Sequence, residues 1–77
     1  MSDNKKRAER AHNAAAFYVR SQLGEHFSPD SLSENITDLL SDLMHLAKTK
    51  DIDFAFCLRM AECNFEAEVE EGLTKWR

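Results

Sequence analysis

Carboxylates at helical spacing are the pattern in this sequence that could do metal chemistry. One row consists of Asp38, Asp42 and His45. A second row consists of Glu62, Glu66 and Glu70. Such rows on facing helices can hold Mg²⁺ or a pair of metal ions if they point between the helices. At about 100° per residue, however, the first row points away from the apolar stripe of its own helix. We therefore interpret both rows as solvated faces and expect no metal and no cofactor.

The cysteines and histidines lack the spacing of a catalytic or zinc site. Cys57 and Cys63 are six residues apart, which on one helix separates them by roughly 9 Å and about 240°. A disulfide needs Cα atoms within about 7 Å, so we expect two free thiols and a reducing compartment. The histidines match no zinc spacing, and neither a Gly-rich phosphate loop nor an HExxH motif occurs. We predict no catalytic residues and no enzyme.

Charge is distributed unevenly along the chain. Residues 1–24 carry five basic against two acidic residues, a net of +3, whereas residues 25–77 carry five against twelve, a net of −7. The basic cluster NKKRAER could contact nucleic-acid phosphates. Its basic residues are Lys5, Lys6, Arg7 and Arg10. No aromatic residue interleaves with them, and the net charge is −4. We therefore expect no nucleic-acid binding. The alternative is a regulator that binds nucleic acid through this basic N-terminal helix.

Targeting signals are also lacking. No apolar run approaches the roughly 20 residues that cross a bilayer. The N-terminal segment AERAHNAAAFYV is interrupted by charged residues, which a signal peptide would not be. We expect a cytoplasmic protein that does not contact a membrane.

Apolar periodicity predicts three helices, at about 3–23, 31–49 and 53–72, within one all-α domain spanning 1–77. Local chemistry supports their ends. Gly24 is suited to a left-handed C-terminal cap, Ser31 begins a capping box with Glu34, and Asp53 is a natural N-cap. We predict a three-helix bundle that forms a homodimer.

The third predicted helix is apolar on two sides. One stripe consists of Phe54, Leu58, Ala61, Phe65 and Val69. A second stripe, about 180° to 240° from Phe54, consists of Phe56, Met60, Cys63 and Ala67. The helix either forms the centre of a bundle, or packs one stripe internally and presents the other to a partner. We predict the second arrangement. The partner would be a second copy of this chain or another protein. The partner-binding residues would be Phe17, Phe56, Met60 and Cys63, with Glu62, Glu66 and Glu70 beside them.

The segment ENITDLLSDLMHLAKTKDIDFAFCLRMAECNFEAE, residues 34–68, resembles small uncharacterised helical proteins of bacterial plasmids, phages and integrated elements. The shared elements are the ITDLL-x-DL-x-H helix, the D-F helix start and the F-x-A-E end. This resemblance implies a mobile-element setting. There we expect a regulator or inhibitor that binds a host or defence complex, with an acidic surface suited to imitating nucleic-acid phosphates.

The same helices are similar to the MazG-type all-α nucleotide pyrophosphatases. Members of that family bind Mg²⁺ in an oligomer through an E-x-x-E helix and a later E-x-x-D helix. Glu68 and Glu71 form an E-x-x-E here, and no later helix follows to supply the second motif. A fragment of a Mg²⁺-dependent nucleotide pyrophosphatase is therefore the alternative to a protein that acts by binding.

Overall fold

The computed structural model describes residues 3–75 of the chain, with side chains described for residues 3–72, and within that range it contains helices and no strand. The helix α1 spans Asp3–Phe17 and continues into a π-helical turn at Tyr18–Gln22. A 3₁₀ turn at Pro29–Ser31 leads into α2, Leu32–Thr49, and α3 spans Phe54–Lys75. The prediction of an all-α protein is confirmed. No helix in the described range is both long and apolar enough to cross a membrane.

Two predicted helix caps have the expected geometry. Gly24 has φ +66°, the left-handed conformation in which a residue without a Cβ ends a helix at little cost. Asp53 accepts a hydrogen bond at Oδ1 from the backbone N–H of Phe56, at 3.1 Å, at the start of α3. Each cap depends on the identity of a single residue, so the sequence alone is enough to predict it.

The predicted capping box at Ser31 is wrong. Ser31 has φ −102° and ψ 15°, and its side chain makes no capping hydrogen bond. An N-cap needs extended backbone to aim its hydroxyl at the next turn. Ser28 has that conformation, at φ −127° and ψ 133°, and its Oγ accepts from the N–H of Asp30 at 3.3 Å. The cap therefore belongs to Ser28, and a 3₁₀ turn at Pro29–Ser31 precedes α2.

The core is small and lies where the segment after α1 folds back on it. Val19, in the π-helical turn, is almost fully buried against Ala16 and Phe27. The edge of the His12 ring meets the Phe27 ring with centroids 5.2 Å apart, and the Arg20 guanidinium lies 5.5 Å from the centroid of the same ring. His12 therefore helps to enclose the one buried aromatic ring among the described side chains.

The turn between α2 and α3 is closed by a left-handed residue that is not glycine. Asp51 has φ +57°. The N–H of Ile52 donates to the carbonyl of Ala47 at 2.8 Å, and the N–H of Asp51 donates to Lys48 at 3.3 Å. These are the two hydrogen bonds of a Schellman motif, which fixes the direction in which the chain leaves a helix. The turn thus sets where α3 begins.

Contacts hold α3 to the rest of the chain near its two ends. Phe54, Glu68 and Gly72 are half-buried, whereas every residue from 55 to 67 is exposed. Near the far end, the Asn4 side chain donates to the backbone carbonyl of Glu68 at 2.9 Å, and Arg7 forms an ion pair with the Glu68 carboxylate. The structure therefore differs from the expectation that one stripe of α3 packs internally, because only Phe54 of the two stripes is half-buried and the rest of both is exposed.

Replacing Phe27 with Ala tests whether this small core holds the fold. Phe27 is 6% exposed, and deleting a buried phenyl ring costs about 3–5 kcal/mol. Phe17, which is 63% exposed, provides the matched control, because a surface substitution changes stability by within about 0.5 kcal/mol. Urea unfolding followed by far-ultraviolet circular dichroism should show a large loss for Phe27→Ala and almost none for Phe17→Ala. Equal losses would contradict this placement of the core.

Candidate interaction surface

The chain leaves a large apolar surface open to solvent. Among residues 3–72, the exposed large apolar side chains are Phe17, Leu23, Ile36, Leu40, Leu43, Met44, Leu46, Ile52, Phe56, Leu58, Met60, Phe65 and Val69. The accessible surface of the chain is 6546 Å², whereas a monomeric protein of this mass exposes about 4,800 Å². The excess, roughly 1,700 Å², is of the size that each subunit of an obligate dimer buries.

The shape of the chain explains this excess. Its principal extents are 43 × 31 × 15 Å, and a single helix with its side chains is already about 10–12 Å across. The radius of gyration is 14.7 Å, against about 11.5 Å for a compact domain of this length. The helices therefore form one layer. Because domains bury their apolar faces between two layers, this layer lacks the partner that would cover it.

The predicted partner-binding residues on α3 are exposed together. We call Phe56, Met60 and Cys63 the outer stripe. By helical spacing they lie about 180° to 240° from Phe54, the half-buried residue that lines a groove between α2 and the start of α3. The Arg59 guanidinium lies 5.8 Å from the Phe56 ring centroid. The carboxylates predicted to lie beside this stripe are also exposed: Glu62, Glu66 and Glu70. Phe17 is exposed on α1, and its membership in the same surface stays a prediction.

A second apolar surface, whose exposure the sequence does not predict, lies on α2. We call Ile36, Leu40 and Leu43 the α2 face; all three are 40% exposed or more. At one end, Ile36 lines a groove of about 510 Å³ between α1 and α2, whose other walls include Ala8 and Ala11. At the other end, a groove of about 520 Å³ lies between α2 and the start of α3. That groove is lined by Met44, Ala47, Ile52 and Phe54, among others. The periodicity of the sequence shows that this side of α2 is apolar. It does not show that no other helix covers it.

The first carboxylate row serves a structural contact. The Tyr18 hydroxyl donates a hydrogen bond to Oδ2 of Asp42, which joins the end of α1 to the middle of α2. That hydrogen bond, then desolvation, then the negative charges of Asp42, Asp38 and Glu25 raise the pKa of Tyr18 from 10.0 to about 12. Among the described residues, no group of three or more histidine, cysteine or acidic side chains is placed to hold a metal ion.

The basic cluster and the E-x-x-E share one ion pair. Arg7 pairs with Glu68 and also donates to Oδ1 of Asn4 at 2.9 Å. Lys5, Lys6 and Arg10 are exposed on α1. One of the four basic groups proposed for phosphate contact is thus engaged with an acidic group of the same chain. The first glutamate of the E-x-x-E is engaged by the same contact.

Both thiols are free, as the sequence predicts. Cys57 and Cys63 are both free and both exposed on α3. Cys63 belongs to the outer stripe, and Cys57 lies on another side of the helix, about 120° away.

No family model matches this chain, and searches of curated proteins and of solved structures find no match. The two resemblances carried by residues 34–68 and by the E-x-x-E therefore stay predictions.

The Tyr18–Asp42 contact predicts an unusual titration. The chain contains one tyrosine, so its ionisation can be followed by tyrosinate absorbance. We expect a pKa near 12 in the native protein and a value closer to 10.0 in Asp42→Asn, which lacks the ionised acceptor. Because the folded-state pKa is raised, this contact stabilises the fold fully below pH 10 and is lost as pH rises from 10 to about 12.

Circular dichroism across the same pH range shows whether the helices persist during the titration. The same midpoint in the wild type and in Asp42→Asn would contradict the hydrogen bond as the cause of the shift.

Proposed function

We propose that this protein acts by binding other proteins through the apolar surface that its single helical layer leaves exposed, and that it has no enzymatic activity. The observation that carries the proposal is the accessible surface, which exceeds that of a monomer of this mass by roughly 1,700 Å². The described residues also expose many large apolar side chains, and exposed apolar patches mark interaction sites in folded proteins.

The outer stripe has the composition of a binding site for another protein. Interfaces are enriched in aromatic residues and methionine, and Phe56 and Met60 supply both. The acidic side chains Glu62 and Glu66 are exposed on the same helix. The fitting partner is a protein with an apolar groove bordered by basic residues, since complementary charge speeds association and selects partners. Phe17 and Cys63 complete the proposed contact.

The biological role we propose is that of a regulator or inhibitor encoded by a bacterial mobile element. The resemblance of residues 34–68 to small helical proteins of plasmids and phages supports it. Binding a host or defence complex needs only a shaped, charged surface, which a chain of 77 residues can supply. An acidic helix face can also occupy a site that normally receives nucleic-acid phosphates. We further propose that the protein works as a homodimer in which two three-helix layers complete one bundle.

The alternative functions have less support from the side-chain contacts. A nucleotide pyrophosphatase would need the carboxylate of Glu68 for Mg²⁺, and that carboxylate pairs with Arg7. A nucleic-acid binder would need Arg7 for phosphate, and the same ion pair engages it.

Placing a charge in the outer stripe tests the proposal. Met60 is 46% exposed, so Met60→Glu should leave α3 intact while adding an unpaired carboxylate to the contact. Wild-type protein immobilised as bait in bacterial extract should retain a partner, which is then purified and its affinity measured directly. We expect Met60→Glu to weaken that affinity by more than about tenfold, as for a residue at the centre of an interface.

The matched control is Ala55→Glu, which adds the same charge at an exposed position on the same helix, about 140° from Met60. It should bind as the wild type does. A partner bound equally by both variants would rule out the outer stripe as the binding site.

A further inference from the structure

Two polar contacts from α1 converge on one residue near the far end of α3. The Asn4 side chain donates to the backbone carbonyl of Glu68 at 2.9 Å, and the Arg7 guanidinium pairs with the Glu68 carboxylate. Arg7 also donates to Oδ1 of Asn4 at 2.9 Å, so the two α1 side chains hold each other in place. We call Asn4, Arg7 and Glu68 the clasp, because together they join the start of α1 to the last turns of α3.

Packing adds little to hold α3 between the clasp and the turn that follows α2. Every residue from 55 to 67 is exposed, a stretch of more than three helical turns. A helix that packs along a neighbour buries one side of each of its turns, and no residue of this stretch is buried. The contacts at the two ends of α3 therefore decide its orientation.

The near end of α3 joins α2 through a connection that can act as a hinge. The N–H of Ile52 donates back to α2, at 2.8 Å from the carbonyl oxygen of Ala47. Asp53 is the N-cap of α3, where its Oδ1 accepts from the N–H of Phe56 at 3.1 Å. The backbone between Ile52 and Asp53 therefore belongs to neither helix. Hinges in proteins are a few such residues at the ends of elements, which absorb a change in φ and ψ while the elements stay intact.

The clasp is open to water and to dissolved ions. The side chains of Arg7 and Glu68 are 44% and 28% exposed. Salt screens ion pairs at such exposure, and an exposed pair shifts an equilibrium by up to about fivefold. Asp3, Glu70 and Glu71, which neighbour the clasp in the sequence, have interactions of their own, and the variants used below leave all three unchanged.

We propose that α3 is an arm that pivots about the connection between Ile52 and Asp53, and that the clasp sets its position. With the clasp closed, α3 lies across the layer. When salt weakens the pair of Arg7 and Glu68, α3 swings away from α1 while remaining helical. The clasp thereby controls how the outer stripe is presented relative to α1. This inference goes beyond the proposed function, since it concerns the shape of the chain whether or not a partner binds.

Electron–electron double resonance between two spin labels measures the distribution of distances from α1 to α3. One label is placed on Cys63 and the other on Asn13→Cys, both at exposed positions, and Cys57→Ser removes the remaining thiol. At low salt we expect one main distance, that of the closed clasp. Glu68→Gln removes the charge but keeps the carbonyl that Asn4 contacts, and it should raise the ratio of open to closed chains by up to about fivefold. Molar sodium chloride should change the distribution of the unmodified clasp in the same direction, and that of Glu68→Gln much less.

Two further variants separate the clasp from a general effect of charge on α3. Glu66→Gln removes the same charge from an exposed residue of the same helix, and it should keep the distances of the unmodified clasp. Arg7→Glu combined with Glu68→Arg exchanges the two charges. It should restore the closed distance that either change alone disturbs, because the ion pair forms again in the opposite sense. Circular dichroism should show equal helix content in all of these variants.

Three results overturn the inference. The first is a distance distribution in Glu68→Gln that equals that of the unmodified clasp at low salt. The second is an exchanged pair that stays as open as the single changes, and the third is a loss of helix content in Glu68→Gln, since α3 is proposed to move intact. None of these removes the proposed function, which is measured separately by the affinity of Met60→Glu and Ala55→Glu for the purified partner.

Discussion

The position of α3 depends on polar contacts near the end of the helix that is far from its turn. Asn4 and Arg7 both engage Glu68, one through its backbone carbonyl and the other through its carboxylate. Exposed ion pairs contribute only about 0–1 kcal/mol. This contact therefore sets the orientation of α3 but adds little to the free energy of unfolding. With the Asp51 turn fixing the other end, α3 spans the layer with only Phe54 of its two apolar stripes half-buried. That geometry is what leaves both of its stripes open.

The energetics of the chain follow from this open layer. Its buried side chains are few and mostly small, and the buried amide nitrogen of Asn35 has no hydrogen-bond partner among the described residues. An unsatisfied buried polar group costs about 1–3 kcal/mol. The buried side chains of the chain alone therefore contribute little to its free energy of unfolding. Any molecule that covers its apolar faces adds stability directly, because binding to the folded state shifts the folding equilibrium.

The sequence predicts the helices well because they depend on local chemistry, as Gly24 and Asp53 show. It places the start of α2 within one residue, but it does not anticipate the 3₁₀ turn that Pro29 opens or the lack of a capping hydrogen bond at Ser31. It also gives no sign that α1 ends in a π-helical turn. The larger difference concerns Leu40 and its neighbours on α2. Periodicity shows which side of a helix is apolar, but only the arrangement of the other helices shows whether anything covers that side.

The two cysteines provide a natural gauge of which surfaces are occupied. Cys63 lies within the outer stripe and Cys57 lies elsewhere on the same helix, and both thiols are free and exposed. An alkylating reagent reaches each thiol at a rate set by its access to solvent. A molecule seated on the outer stripe would slow the modification of Cys63 more than that of Cys57. The ratio of the two labelling rates, read from one sample without any engineered probe, therefore reports the state of this helix inside a cell extract.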